Sequence, residues 1–313
     1  MGEPMKGVVV GLRMGKNHAL AMAGIDGVRL AAVCDVKDDA RADVIEAVMQ
    51  SPASPDAYSD YSAMLDEVKP EIVAIATPNR LHSQMAIEAS EKGVAAICCE
   101  KPIAVDLGEA RQMVDTCRRN RTLLIVNHQR RLGPDFGWIK QQIDVGAIGD
   151  VYLVRGNCAG DMLSDGTHLI DSTLFLTGDV DWKWVFAAHH REDTGGDVDS
   201  GGGYNVAGGW RFGHPVENGM FTLVELSNGI KVEMLTGDLR DPKRPYHDVE
   251  IIGTKGSFWR SGDRGGENLF HRESGGAWAP VASVDSAAPT DLIAESYRRL
   301  VLLIQDGRPD SDH

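Results

Sequence analysis

No stretch of this sequence approaches the roughly 20 consecutive apolar residues that a membrane-crossing helix needs, so a helical span is excluded. Basic tracts are missing too. Lys and Arg number 32 against 46 Asp and Glu, and a net charge of −14 argues against a nucleic-acid partner. Cysteine is sparse and odd in number: Cys34, Cys98, Cys99, Cys117 and Cys158. Three of these fall in strand-like runs, which fits reduced thiols and a cytoplasmic setting rather than a disulfide framework. Cys98 and Cys99 are adjacent and point to opposite faces of a strand, so they do not read as metal ligands. Internal repeats are absent. Met1–Lys6 leads straight into a strand-like run, with no secretory signal expected.

What is present is alternation. Apolar, β-branched runs at Gly7–Val10, Val28–Cys34, Glu71–Ala76, Ala95–Cys99 and Thr122–Val126 read as strands. Helical patterns separate them at Asp38–Met49, Tyr61–Val68, His82–Gly93 and Leu107–Arg119. This spacing predicts an α/β fold with a doubly wound parallel sheet over residues 1–126. After Val126 the alternation stops. Hairpin signals follow, the clearest being Ser227-Asn228-Gly229 between two apolar runs, and they predict an antiparallel sheet in residues 127–313. An amphipathic helix, from about 290 to 306, is assigned to this second domain. The length of 313 residues fits two such domains.

Ligands of open parallel sheets bind beyond the carboxyl ends of the strands. Gly11 and Gly15 lie in the first strand–helix turn, around Arg13 and Met14, where a dinucleotide pyrophosphate meets a helix N-terminus. Arg13 occupies a place where a second glycine is usual. Asp35 follows Gly11 by 24 residues and ends the second strand, where an acid binds a ribose diol. An acid there favours NAD over NADP, although Arg13 and Lys37 are cations that work against this preference. Thr77, Pro78, Asn79 and His82 follow the third strand, and Asn79 reads equally as a helix cap or a cofactor contact. Glu100-Lys101-Pro102 ends the fourth long run and would place an ammonium group at the same sheet edge.

Together these pieces resemble the Gfo/Idh/MocA oxidoreductases. The matching residues are Gly11, Gly15 and His18; Asp35; Ala76-Thr77-Pro78-Asn79 with His82; Glu100-Lys101-Pro102; Asn127 with Arg130-Arg131; Gly146-x-Ile148-Gly149; and Asp165-Gly166-Thr167-His168 with Asp171. The resemblance implies a Rossmann domain and a C-terminal α+β domain with an open, mainly antiparallel sheet that serves as a homodimer or homotetramer interface. It also implies NAD, with NADP as the alternative, and a sugar, cyclitol or related polyol as substrate. Lys101 and His168 would then handle protons, with Glu100 orienting Lys101 or balancing its charge. Arg130, Ser164 and Asp165 would line the substrate site. The family's acid stands four residues before the histidine, where this chain has Ser164, so Asp165 is the nearest catalytic carboxylate. Two other readings share the fold: glycoside cleavage through transient C3 oxidation, and a nucleotide sensor without catalysis. Family members continue with a further helix beyond Gly307. The glycine-rich segment from Gly195 to Gly209 reads as a loop or as a lid presenting Tyr204, Trp210, Arg211 or His214. Asp193, Asp197 and Asp199 beside it fit no standard cation loop, and His189-His190 reads as a surface strand end; no metal site is expected.

Overall fold

A computed structural model describes residues 3–49, 54–192, 209–212, 214–263, 268–281, 284 and 289–306. The chain forms two compact units, residues 1–129 with 289–313, and residues 130–288.

In the first unit the runs read as strands are strands: β1 (Met5–Val10), β2 (Val28–Cys34), β3 (Asp56–Tyr58), β4 (Ile72–Ile75), β5 (Ala96–Cys99) and β6 (Leu123–Val126). They form one parallel sheet in the order β3-β2-β1-β4-β5-β6. Because successive side chains alternate, each central strand feeds two cores. Val9, Leu30, Val33, Ala74 and Cys98 pack with α1 (Leu12–Ala23) and α2 (Asp38–Val48) on one face. Val8, Val10, Ile75, Ile97 and Cys99 pack with α3 (Tyr61–Val68), α4 (His82–Glu91) and α5 (Leu107–Asn120) on the other. Helix starts are fixed locally. The Asp60 carboxylate accepts from Ala63 N at 2.8 Å, and Asp106 accepts from Gly108 N and Glu109 N at 2.7 and 3.1 Å.

One element departs from the sequence reading. The C-terminal helix, Pro289–Gln305, belongs to the first unit and not to the antiparallel domain. Ile293, Ala294, Tyr297, Leu300 and Val301 are buried in the same core as Met22, Ile25 and Val28. An apolar stripe shows that a helix packs, but not against which sheet.

The second unit holds α6 (Pro134–Asp144), β7 (Val151–Cys158), α7 (Thr167–Thr177), β8 (Trp182–His190), β9 (Trp210–Arg211), β10 (His214–Pro215), β11 (Gly219–Leu226), β12 (Lys231–Thr236), β13 (Asp248–Gly253), β14 (Gly256–Ser261), β15 (Leu269–Glu273) and β16 (Ala279–Pro280). Its eight-stranded sheet runs β16-β15-β14-β13-β7-β12-β11-β8, with only β7 and β12 parallel to each other. The Asn228-Gly229 turn joins β11 to β12, with Gly229 at φ +88°. Val154, Cys158, Val224, Val232, Met234, Val249 and Ile251 point to one face and form a core with Phe136 and Ile139 of α6 and Leu169 and Leu176 of α7. Gly156 on β7 permits the close approach of α7, since a Cβ there would lie 2.3 Å from Leu169 Cδ1.

Ile97 is fully buried in β5, next to the strand end that carries Glu100 and Lys101. Ile97→Ala should lower stability by about 2–5 kcal/mol, read as a reduced midpoint in urea denaturation. A midpoint within error of the wild type would show that this layer is not close-packed.

Candidate active site

The carboxyl ends of the first unit's strands are laced together by backbone hydrogen bonds. Gly11 N donates to Cys34 O at 2.9 Å and Ala76 N to Val10 O at 2.9 Å; Glu100 N donates to Ile75 O at 2.8 Å and Asn127 N to Cys99 O at 2.7 Å. These bonds set Gly11, Asp35, Thr77, Glu100 and Lys101 along one sheet edge, on both sides of the β1–β4 junction where strand order reverses.

Gly11 sits at φ +81°, and a Cβ there would lie 2.6 Å from the Ala76 carbonyl carbon and 2.7 Å from Thr77 N. Only glycine lets the β1–α1 turn come this close to the β4 turn. Asp35 Oδ2 accepts from Leu12 N at 2.8 Å, the first amide of α1, and Oδ1 accepts from Lys37 N at 3.0 Å. The carboxylate therefore ties the glycine turn to the end of β2, and its remaining lone pairs are suited to a diol. Arg13 and Met14 are exposed in the first turn of α1, with Gly15 buried behind them. Such a turn fits the pyrophosphate of a dinucleotide, because α1 amides and the helix dipole favour an anion there.

Beyond β4, Asn79 opens a short 3₁₀ turn, Asn79–Leu81, and is buried. The N-cap positions of this turn and of α4 are held by Pro78 and Leu81, so Asn79 stands one residue inside the turn and not at its N-cap. His82 is fully buried between two turns, with Nδ1 2.8 Å from Pro102 O and Nε2 2.9 Å from Thr77 O. Burial lowers its pKa, against the opposing pull of the two carbonyls.

Glu100 is the best-connected carboxylate of this edge. Its Oε1 lies 2.9 Å from His18 Nε2 and accepts from Asn127 Nδ2 at 2.8 Å, while Oε2 accepts from Lys101 N at 3.3 Å. Burial alone would raise its pKa. The hydrogen bond and charge of His18, the Lys101 charge and the Asn127 amide outweigh burial and hold it at about 2. Burial likewise pulls His18 down, but hydrogen bonds and charge at Cys98 and Glu100 raise it to about 10. An imidazolium–carboxylate pair thus underlies Lys101, which is half-buried and followed by a cis peptide bond to Pro102.

The second unit holds the other expected residues. Asp165 lies in a π-helical turn, Met162–Gly166, directly before α7, and His168 lies in the first turn of α7; both are buried. A turn of this kind often marks a functional segment. Arg211 is buried beside it, pairing with Asp161 at 2.9 Å and with Asp165, while Tyr246 Oη donates to Asp165 Oδ1 at 3.3 Å. Ser164 N donates to Asp161 Oδ1 at 2.7 Å, and Ser164 Oγ lies 3.4 Å from His214 Nε2. Arg211 and His214 are thus buried partners of the π turn. Tyr204 and the residues from 195 to 208, with Asp193, lie outside the described residues. Arg130 pairs with Asp263 at 3.0 Å through Nε and lies over the Tyr246 ring, 5.4 Å from its centroid. Asp171 takes Arg131 at 2.6 Å.

Sequence reasoning missed Asp161, Tyr246, His247 and Asp263. The His247 ring meets that of His168 edge-on at 6.3 Å between centroids. Burial first, then the Arg130 and Arg260 charges, lower its pKa to about 3 against the pull of Asp263, so His247 is neutral near pH 7. The only sequence signal was a polar run, Tyr246-His247-Asp248, entering an apolar strand.

This fold and glycine turn define a dinucleotide-binding domain of the oxidoreductase type. Residues 5–128 match the family model described as "Oxidoreductase family, NAD-binding Rossmann fold", GFO_IDH_MocA. Among curated relatives, D-glucoside 3-dehydrogenase of Escherichia coli K12 is 26% identical over 250 residues, 72% of this chain and 68% of its own length. Levoglucosan dehydrogenase of Pseudarthrobacter phenanthrenivorans is 26% identical over 284 residues, 80% of this chain and 72% of its own length. A solved levoglucosan dehydrogenase in complex with NADH and levoglucosan shares the fold, with TM-score 0.77 at 20% identity over 97% of this chain and 90% of that one. The chain is thus similar to the Gfo/Idh/MocA oxidoreductases, and its N-terminal domain matches their NAD-binding domain.

The His18–Glu100 pair makes stability depend on pH. Glu100, held below its ordinary 4.5, stabilises the fold above about pH 4.5 and loses this as pH falls through about 2. His18, held above 6.5, stabilises fully below 6.5 and loses this as pH rises through about 10. Glu100→Gln should cost about 3 kcal/mol near pH 6, with the gap to the wild type narrowing steadily towards pH 9. Urea denaturation at a series of pH values measures it. A gap constant from pH 6 to 9 would mean that His18 carries no charge.

Proposed function

We propose that this enzyme exchanges hydride between NAD(H) and a secondary alcohol carbon of a sugar, cyclitol or related polyol, with Lys101 and His168 in proton transfer. The observation that carries the reading is the charge-balanced Glu100–Lys101 strand end, placed on the same sheet edge as the glycine turn. The names of the relatives, a glucoside and a levoglucosan dehydrogenase, support the substrate class. Gly11, Arg13, Met14 and Gly15 would hold the pyrophosphate and Asp35 the adenosine ribose. Thr77, Pro78, Asn79, His82, Glu100 and Lys101 would line the path to the nicotinamide. The negative charge of Asp35 favours NAD, since it would repel a 2′-phosphate.

When bound, the cofactor supplies the hydride acceptor or donor. The chain must supply the proton chemistry. Oxidising the alcohol breaks an O–H bond as hydride leaves carbon, and the proton passes to a base. Lys101 in its neutral form serves as that base, and in reduction its ammonium polarises the carbonyl and returns the proton. His168 is proposed as a second proton-transfer group, since imidazole can both take up and release a proton. Asp165, held by Arg211 and Tyr246, fixes a negative charge in the turn that leads into His168. Arg130 and Ser164 complete the proposed substrate contacts. Lys101→Met should lower kcat by at least about a thousandfold while NADH binding, followed by fluorescence, stays within a fewfold of the wild type. Near-normal turnover of a polyol by that variant would overturn the assignment.

We also propose that the second unit's sheet pairs with a second copy of this chain, and that the enzyme works in the cytoplasm, where its five buried cysteines, none in a disulfide, stay reduced. The support for pairing is β8, an edge strand on which Trp184, Val185 and Phe186 are 40%, 51% and 56% exposed. Phe186 stands opposite Leu223, and its ring meets Phe221 at 6.3 Å, forming an apolar strip on the sheet. Phe186→Glu should shift the mass measured by light scattering from oligomer towards monomer. An unchanged mass would place the interface elsewhere.

A further inference from the structure

Lys101 stands at the end of a buried chain of groups that begins on the C-terminal helix. Tyr297 Oη lies 2.5 Å from His18 Nδ1, and His18 Nε2 lies 2.9 Å from Glu100 Oε1. The Tyr297 and His18 rings meet edge-on at 5.8 Å, and both side chains are fully buried. The Cys98 thiol is within hydrogen-bonding reach of both. One residue before Tyr297, Ser296 Oγ donates to Asn127 Oδ1 at 3.2 Å, and Asn127 Nδ2 in turn donates to Glu100 Oε1. Two adjacent residues of one helix therefore reach the same carboxylate by separate routes.

We propose that Tyr297 is a positioning residue for Lys101: by accepting the Nδ1 proton of His18 it keeps the imidazolium paired with Glu100, and so keeps the Lys101 ammonium beside a neutralised carboxylate. The inference rests on the reading that Lys101 moves the substrate proton. The ionisable groups that bear on the relay are Cys98 and Glu100 of the β5 end, Tyr297, Lys101, and His82 of α4. Without the tyrosine hydroxyl the second imidazole N–H has lost its acceptor, and His18 is driven towards its neutral form. Glu100 then faces Lys101 as an uncompensated negative charge, which holds the proton on the lysine and weakens it as a base. Tyr297→Phe keeps the ring and its packing and removes only the hydroxyl.

The test is amine acetylation by acetic anhydride across a pH series, followed by mass spectrometry of the Lys101 peptide, with the Lys16 and Lys140 peptides as internal references. Tyr297→Phe should raise the midpoint for Lys101 by about one pH unit and leave the reference lysines unmoved. His18→Gln, which still donates to Glu100 but cannot carry charge, should give the same shift. A Lys101 midpoint unchanged in both folded variants overturns the proposal, since a purely packing role would lower thermal stability alone. Should neither variant fold, the wild type decides: a Lys101 midpoint below both references supports the relay, and one at or above them overturns it. Failure of the catalytic reading is distinguishable. An active Lys101→Met enzyme removes the role of Lys101 but leaves the labelling shift in place.

Discussion

The buried pair of His18 and Glu100 is the constraint on which the first unit's site depends. A carboxylate at the end of an inner strand is costly to bury alone, and an imidazole beneath a glycine turn is no cheaper. Placed 2.9 Å apart they neutralise one another, and the Asn127 amide satisfies a further lone pair. That arrangement joins α1, the end of β5, the residue after β6 and the C-terminal helix at one point. The strand end is therefore rigid where a proton-transferring group must be rigid.

Around that point the backbone does the positioning. The last carbonyl of each inner strand accepts from the amide that opens a neighbouring loop, so the four loops at the sheet edge share one register. Gly11 makes the closest approach, and Asp35 fastens the turn from the β2 side. In the second unit the work falls to side chains. Arg211 gathers Asp161 and Asp165 of the π turn, and Arg130 and Arg260 gather Asp263, while the neutral His247 packs on His168.

Much of this was legible in the sequence because it rests on local rules. The β-branched runs, the turn glycines Gly11 and Gly229 and the acid at Asp35 each carry their meaning within a few residues. The short strand β3, Asp56–Tyr58, and the helix α6, Pro134–Asp144, escaped notice, since one is three residues long and the other opens on Pro134 with Gly137 interrupting its short stripe of Phe136, Ile139 and Ile143. Long-range partners were illegible for a different reason. Tyr297 lies 279 positions from His18, and Arg211 lies 46 from Asp165. No periodicity encodes such pairs; only the fold brings them together. Arg211, one of four residues named for the lid alternative to a plain loop, is buried as a counter-ion. Attaching the C-terminal helix to the wrong domain had the same root: its stripe fits any apolar groove, and the groove it fills lies against α1.

The charge of His18 is the most direct test of this account. Ring ¹⁵N spectra of the wild type, with His18 assigned through His18→Gln, report whether one or both ring nitrogens carry a proton. The account predicts a doubly protonated His18 ring from pH 6 to above pH 8. A ring that is singly protonated at pH 7 would contradict the buried ion pair and, with it, the charge balance assigned to Lys101.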